Sequence, residues 1–158
     1  MDDPARLARG LHEQLLARQL TVATAESLTG GGLGRLLTET PGSSATYVGG
    51  VVAYATELKI EVLGVPEDLV ARFGVVSAEC ALAMARGIRA LTGATYGVST
   101  TGVAGPDQQE GKPAGTVFVG LVGPEESTAL ALELVGSRSV IRERTCVEAL
   151  SALSAIVA

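Results

Sequence analysis

The chain has one histidine, no tryptophan, two cysteines and two lysines among its 158 residues. Each scarcity excludes something. A Ser-His-Asp triad would rest on His12 alone, which lies in a helical pattern with no nucleophile near it in sequence and reads as a solvated or packed helix histidine. Cys80 and Cys146 fall in Ala/Leu-rich helical stretches without a CxxC pair or a neighbouring histidine, so they are expected to be buried free thiols rather than a disulfide or a metal site. No set of Asp, Glu and His has metal-ligand spacing, so no metal is expected. Aromatic residues make up 3%, the net charge is −5 and no Lys/Arg cluster stands out, all of which argue against a nucleic-acid surface and for a small-molecule partner. No apolar run reaches membrane-spanning length. The start, Met1-Asp2-Asp3-Pro4, lacks the basic and apolar regions of a signal peptide, so a cytoplasmic protein is expected.

Against ten arginines, the chain keeps only Lys59 and Lys112. Abundant Ala, Gly, Leu and Val point to a coding bias that favours arginine, but that bias does not say where lysines survive. Arginine cannot release its proton in a protein, whereas a desolvated lysine can become a neutral base near pH 7. A titratable amine is therefore a reason to keep a lysine beside a Ser/Thr/Gly-rich loop.

With 47% hydrophobic residues, residues 1–158 fit one domain with an ample core. Leu7, Leu11, Leu15 and Leu16 repeat at helical spacing, which predicts a helix over 3–18. A strand over 21–25 follows, then a helix over 30–39 ended by Pro41-Gly42, a strand over 47–54, a short helix around Lys59 and a turn after Pro66. Ser77 is the expected N-cap and Gly93 the stop of the next helix. A strand at 96–100, a Gly/Pro-rich loop over 102–115, a hairpin of strands 117–122 and 128–135, and a helix over 138–157 complete the chain. The pattern predicts an α/β fold, a three-layer α/β/α domain with a mixed, mostly parallel sheet.

Ser27 lies where the first strand gives way to Gly30-Gly31-Gly32. Unpaired N–H groups at a helix start can hold an oxyanion or a phosphate, and glycines let a ligand approach the backbone. Familiar motifs do not fit. Ala25 and Thr29 flank Ser27 where a nucleophile elbow has glycine. Gly111-Lys112 is followed by Pro113, and Arg35 stands at the last glycine of G-x-G-x-x-G, so neither is a phosphate or dinucleotide loop. What remains is a serine with a lysine as its candidate base, an established form of nucleophilic catalysis.

Six segments occur in order: Ala25 to Gly31, Tyr54 to Lys59, Gly74 to Ser77, Thr101 to Pro106, Lys112 to Val117 and Gly136 to Arg142. From about residue 5 to its end the chain resembles the C-terminal domain of CinA and its stand-alone relatives, the nicotinamide-nucleotide amidases. The resemblance implies an α/β/α fold and hydrolysis of nicotinamide mononucleotide to nicotinic acid mononucleotide and ammonia, with no metal or other cofactor. It maps the catalytic serine onto Ser27, the lysine onto Lys59 and the tyrosine onto Tyr54. Backbone N–H groups of Ser27 to Gly31 would hold the oxyanion, and Glu26, Thr29, Gly30, Gly31 and Gly105 join the substrate-binding set. For the phosphate, the candidates are Thr101-Gly102, Gly115-Thr116 and Arg142. Leu28 stands where the family often has cysteine, Ser137 where it often has aspartate, and the Asp107–Gly111 loop is shorter and poorer in glycine than usual. Full-length CinA proteins carry a separate N-terminal domain associated with ADP-ribose pyrophosphatase activity, for which 158 residues leave no room. Two other readings stay open, a different amidase or esterase using the same pair and a non-catalytic nucleotide-binding or competence-associated module. The sequence also leaves room for a homo-oligomer.

Overall fold

A computed structural model describes residues 2–158. Its arrangement follows from the strand β1 (Val22–Glu26), all five of whose side chains are buried. A strand covered on both faces belongs inside a sheet, and β1 lies between β2 (Tyr47–Val52) and β3 (Tyr96–Gly102), parallel to both. Beyond β3 come β4 (Thr116–Val122) and β5 (Ser127–Glu133), giving the order β2-β1-β3-β4-β5. The pairs β3/β4 and β4/β5 are antiparallel, so β4 alone runs against the other four strands. The sheet is thus mixed, with most strands pointing one way.

Alternation along β1 assigns its two faces. Val22 packs with Leu11, Leu15, Leu150 and Leu153, the apolar sides of α1 (Pro4–Ala17) and α6 (Arg138–Val157), whereas Ala23 and Ala25 pack with Cys80, Met84 and Ile88 of α5 (Ala78–Thr92). Small residues bring α5 very close to the sheet. A Cβ on Gly97 or Gly120 would stand 2.2 or 2.3 Å from the carbonyl oxygens of Ala85 and Ala81, and Ser99 Oγ donates to Ala81 O at 2.5 Å. Ser77 caps α5 by accepting from Cys80 N at 3.1 Å, as its position before the Ala/Leu run predicts.

Several boundaries differ from the sequence expectation by a residue or two, and two of those differences shape the cavity described below. The helix after β1, α2, spans Gly32–Thr38 and so begins five residues beyond Ser27. Strand β2 stops at Val52, leaving Ala53 and Tyr54 outside the sheet before the short helix α3 (Thr56–Glu61). The segment after Pro66 is a helix, α4 (Glu67–Phe73), rather than a turn. His12 is a packed helix histidine, buried with its Nδ1 2.7 Å from Thr46 Oγ1. Cys80 and Cys146 are buried free thiols.

Because β2 and β3 lie on opposite sides of β1, the chain diverges at the carboxyl ends of these three strands. Open α/β sheets form a crevice at such a switch point.

Candidate active site

Ser27 is the first residue beyond β1. Its N–H donates to Thr100 O at 3.0 Å, which continues the β1/β3 ladder by one step. Its own carbonyl accepts from Gly30 N at 3.1 Å, closing a tight turn that Gly30 (φ +57°) and Gly31 (φ +100°) carry through the left-handed region. Only then does α2 begin. The first free amides of that helix go to Glu26: Leu33 N reaches Oε1 at 2.8 Å and Gly34 N reaches Oε2 at 3.0 Å, while Thr29 Oγ1 donates to Oε1 at 2.6 Å. The helix start that the sequence offers as an anion site therefore holds the chain's own carboxylate, buried and compensated by the helix dipole. Likewise, the Ser27 N–H is engaged by Thr100 and does not point free for an oxyanion.

Helix α3 returns Lys59 to Ser27. Its Nζ lies 2.9 Å from Ser27 Oγ, 2.7 Å from Ala53 O and 3.2 Å from Tyr54 O. Both carbonyls are free of the sheet because β2 ends at Val52. The side chain is 1% exposed, and this burial pushes the Lys59 pKa below the ordinary lysine value, against the opposing influence of Cys80 and Glu110. Burial pushes the Cys80 thiol up to about 11, so at neutral pH it is an uncharged neighbour. The three partners fit both protonation states. An ammonium would donate to all three oxygens; a neutral amine would donate to the two carbonyls and turn its lone pair to the Ser27 hydroxyl.

A cavity of about 380 Å³ opens over this pair. It is lined by Ser27, Tyr54 and Lys59, by Val75 and Val76, and by residues 101–109, including the expected Thr101, Gly102 and Gly105. Thr101 contributes through its backbone, since its Oγ1 donates to Val75 O at 2.7 Å. Tyr54 is on the rim with its side chain 59% exposed. It meets Lys59 through its carbonyl, and its phenol accepts from Arg138 NH2 at 3.1 Å.

The remaining predicted residues lie elsewhere. Glu26, Thr29, Gly30 and Gly31 build the turn behind Ser27 rather than line the cavity. Arg142 supports that turn from outside, with Nε donating to Leu28 O at 2.8 Å. Gly115 (φ +94°) is pressed between strands, where a Cβ would stand 1.8 Å from Leu134 O; Thr116 opens β4, its Oγ1 donating to Pro113 O at 2.8 Å.

The cavity's cation is Arg138, four residues earlier on the same helix than Arg142, and sequence reasoning missed it. Arg138 donates to Gly105 O at 2.6 Å and reaches the rim beside the first turn of α6. Ser137 as an N-cap was the available signal, because it puts residue 138 at the helix start. Among the described residues, no group of three His, Cys, Asp or Glu is placed to hold a metal ion, and no helix is long and apolar enough to cross a membrane.

Residues 4–157 match the CinA C-terminal domain. The chain belongs to that family. It is 49% identical over 144 residues to a CinA-like protein of Frankia casuarinae, an alignment covering 91% of this chain and 33% of the relative. The chain thus spans about a third of the length of the curated relatives it matches. Among solved structures, a competence-damaged protein (CinA) superfamily protein of Klebsiella pneumoniae superposes with a TM-score of 0.96 at 30% identity, covering 99% of this chain and 98% of the other. The competence/damage inducible protein CihA of Agrobacterium tumefaciens gives 0.94 at 34% identity, with 99% and 96% covered. The CinA fold and the three-layer architecture are therefore shared across these proteins.

Proposed function

We propose that this CinA domain is an amidohydrolase that converts nicotinamide mononucleotide to nicotinic acid mononucleotide and ammonia, with Ser27 as nucleophile and Lys59 as base. The observation that carries the reading is the 2.9 Å contact between a buried lysine amine and the Ser27 hydroxyl. A lysine taken out of water beside a serine is the arrangement that makes serine nucleophilic without histidine. Competence and damage appear in relatives' names, but a module without catalysis gives no reason to bury that amine.

In the reaction, Lys59 takes the Ser27 proton as Oγ bonds to the carboxamide carbon. The Leu28 amide, next in chain and on the cavity wall, is the proposed oxyanion donor, since the Ser27 N–H is taken; one such donor is worth about 3–4 kcal/mol elsewhere. Lys59 then gives its proton to the departing nitrogen, the C–N bond breaks and ammonia leaves. Water attacks the acyl-serine while Lys59 accepts one of its protons, which returns to Ser27 Oγ as the carboxylic acid departs and ionises, its proton passing to solvent. The Ala53 and Tyr54 carbonyls orient the amine throughout.

Arg138 and the first turn of α6 are the proposed phosphate anchor, with Thr101, Gly102 and Gly105 lining the wall between. The cavity volume falls in the ordinary range of small-molecule clefts, ~300–1,000 Å³. The proposed partner is a small nucleotide in the cytoplasm, not nucleic acid. Incubation with nicotinamide mononucleotide should release ammonia and nicotinic acid mononucleotide in equal amounts. Release no faster than from a Ser27→Ala variant would overturn the assignment.

A further inference from the structure

The part of the cavity lined by residues 105–109 is held by a device that the Ser27–Lys59 pair does not use. The segment from Gly105 folds back at Glu110-Gly111, where Gln109 and Lys112 exchange backbone hydrogen bonds of 3.0 and 2.9 Å. Glu110 has φ +53° and Gly111 φ +73°. Two successive left-handed residues are the signature of a two-residue hairpin turn that favours Asn, Asp or Gly at its first position, and a glutamate there is strained.

What glutamate adds is reach. Its carboxylate leaves the turn and accepts one hydrogen bond from each of two successive amides, Val75 N at 2.9 Å on Oε2 and Val76 N at 2.9 Å on Oε1. Gly74 (φ +76°) makes room, for a Cβ there would stand 2.5 Å from Glu110 Oε1. Lys112 supplies the second prong, donating from Nζ to Val76 O and lying 3.9 Å from Glu110 Oε1. Val75 and Val76 line the same cavity as residues 105–109. Of the two lysines that the chain retains, Lys59 lines this cavity beside Ser27, and Lys112 holds Val76, a residue that lines it.

We infer that Glu110 and Lys112 form a two-pronged latch that pins the 105–109 wall to the Val75–Val76 segment, which makes Glu110 a positioning residue for substrate binding. The latch rests on geometry alone; its effect on substrate rests on the amidase reading above.

Glu110→Asn separates the latch from a simple turn, because asparagine suits the left-handed conformation better but is too short to reach Val75 and Val76. The variant should show amide hydrogen exchange at Val75 and Val76 faster by about tenfold or more. Its KM for nicotinamide mononucleotide should rise by about tenfold, with kcat within about threefold of the parent. Lys112→Gln should speed exchange at the same amides to a smaller degree. Unchanged exchange in both variants, with a raised Tm for Glu110→Asn, would overturn the latch. Faster exchange with an unchanged KM would overturn the positioning role. Should the parent protein release no ammonia from nicotinamide mononucleotide, the amidase reading fails, and the exchange measurement, which needs no substrate, still decides the latch.

Discussion

Under the proposed mechanism, what Lys59 supplies is a removable proton rather than a charge. Lys59→Arg keeps the positive charge but not the ability to accept a proton near neutral pH, so kcat should fall by ~10²-fold or more. In the parent, burial holds the Lys59 pKa below that of free lysine. Activity should therefore rise with pH through an ionisation below ~10.4, and that limb should be absent from the variant. An arginine variant that retains its turnover number would return the base to some other group. Ser27→Ala tests the other atom of the pair. Ammonia release should drop to background, with circular dichroism and Tm close to the parent, because a hydroxyl whose only hydrogen-bond partner among the described residues is Lys59 Nζ leaves little behind it when removed. Turnover within about tenfold of the parent would exclude an acyl-serine.

The elements around these residues show which parts of the fold were legible and which were not. Residues that act through local periodicity or capping read directly: the Leu7/Leu11/Leu15 stripe of α1, Ser77 at the start of α5 and the strand β1, buried along its whole length. The Ser27–Lys59 pair was legible in part: the strand-end serine and the two retained lysines marked candidates, each weak by itself, and the resemblance to the CinA family joined Ser27 to Lys59. Glu26, Arg138 and Arg142 were not, because their partners depend on where α2 and α6 begin and on how Gly30 and Gly31 turn the chain. A shift of α2 to Gly32 converts its amides from a ligand site into the seat of Glu26. That seat predicts a stability role. Glu26→Ala would leave the Leu33 and Gly34 amides and the Thr29 hydroxyl without their acceptor, at a cost of roughly 2–4 kcal/mol from one charged cap and its hydrogen bonds. Urea unfolding would measure it, and a loss under about 0.5 kcal/mol would show that water replaces the carboxylate. Activity should fall too, because the turn built on Glu26 sets the position of Ser27.

At the scale of the whole molecule, folding takes the amine of Lys59 out of water, and under the proposed mechanism that burial would link activity to stability. Below the folded-state pKa of Lys59, native and unfolded chains both carry the proton, so the burial cost stands in full. Between that pKa and the unfolded value of ~10.4, the unfolded chain binds a proton that the native chain does not, and stability rises with pH; above it the cost is gone. The thiols act in the opposite direction. Burial pushes Cys80 and Cys146 up to about 11 and about 12, so above ~8.5 the unfolded thiols lose protons that the native ones keep, and stability falls. Total stability therefore hides the lysine, whereas a difference between variants isolates it. Lys59→Met fills similar space without a charge. Its stability relative to the parent, measured by urea unfolding, should be most favourable at pH 6 and should decline as pH rises towards ~10.4, by about 1.4 kcal/mol for each unit by which burial lowers the Lys59 pKa. Cys146 is common to both proteins and cancels. Cys80 borders Lys59, so the same comparison in a Cys80→Ala background removes its share. A difference that stays flat from pH 6 to pH 10 would mean that native Lys59 keeps an ordinary pKa, and the base assigned to Ser27 would lose its physical ground.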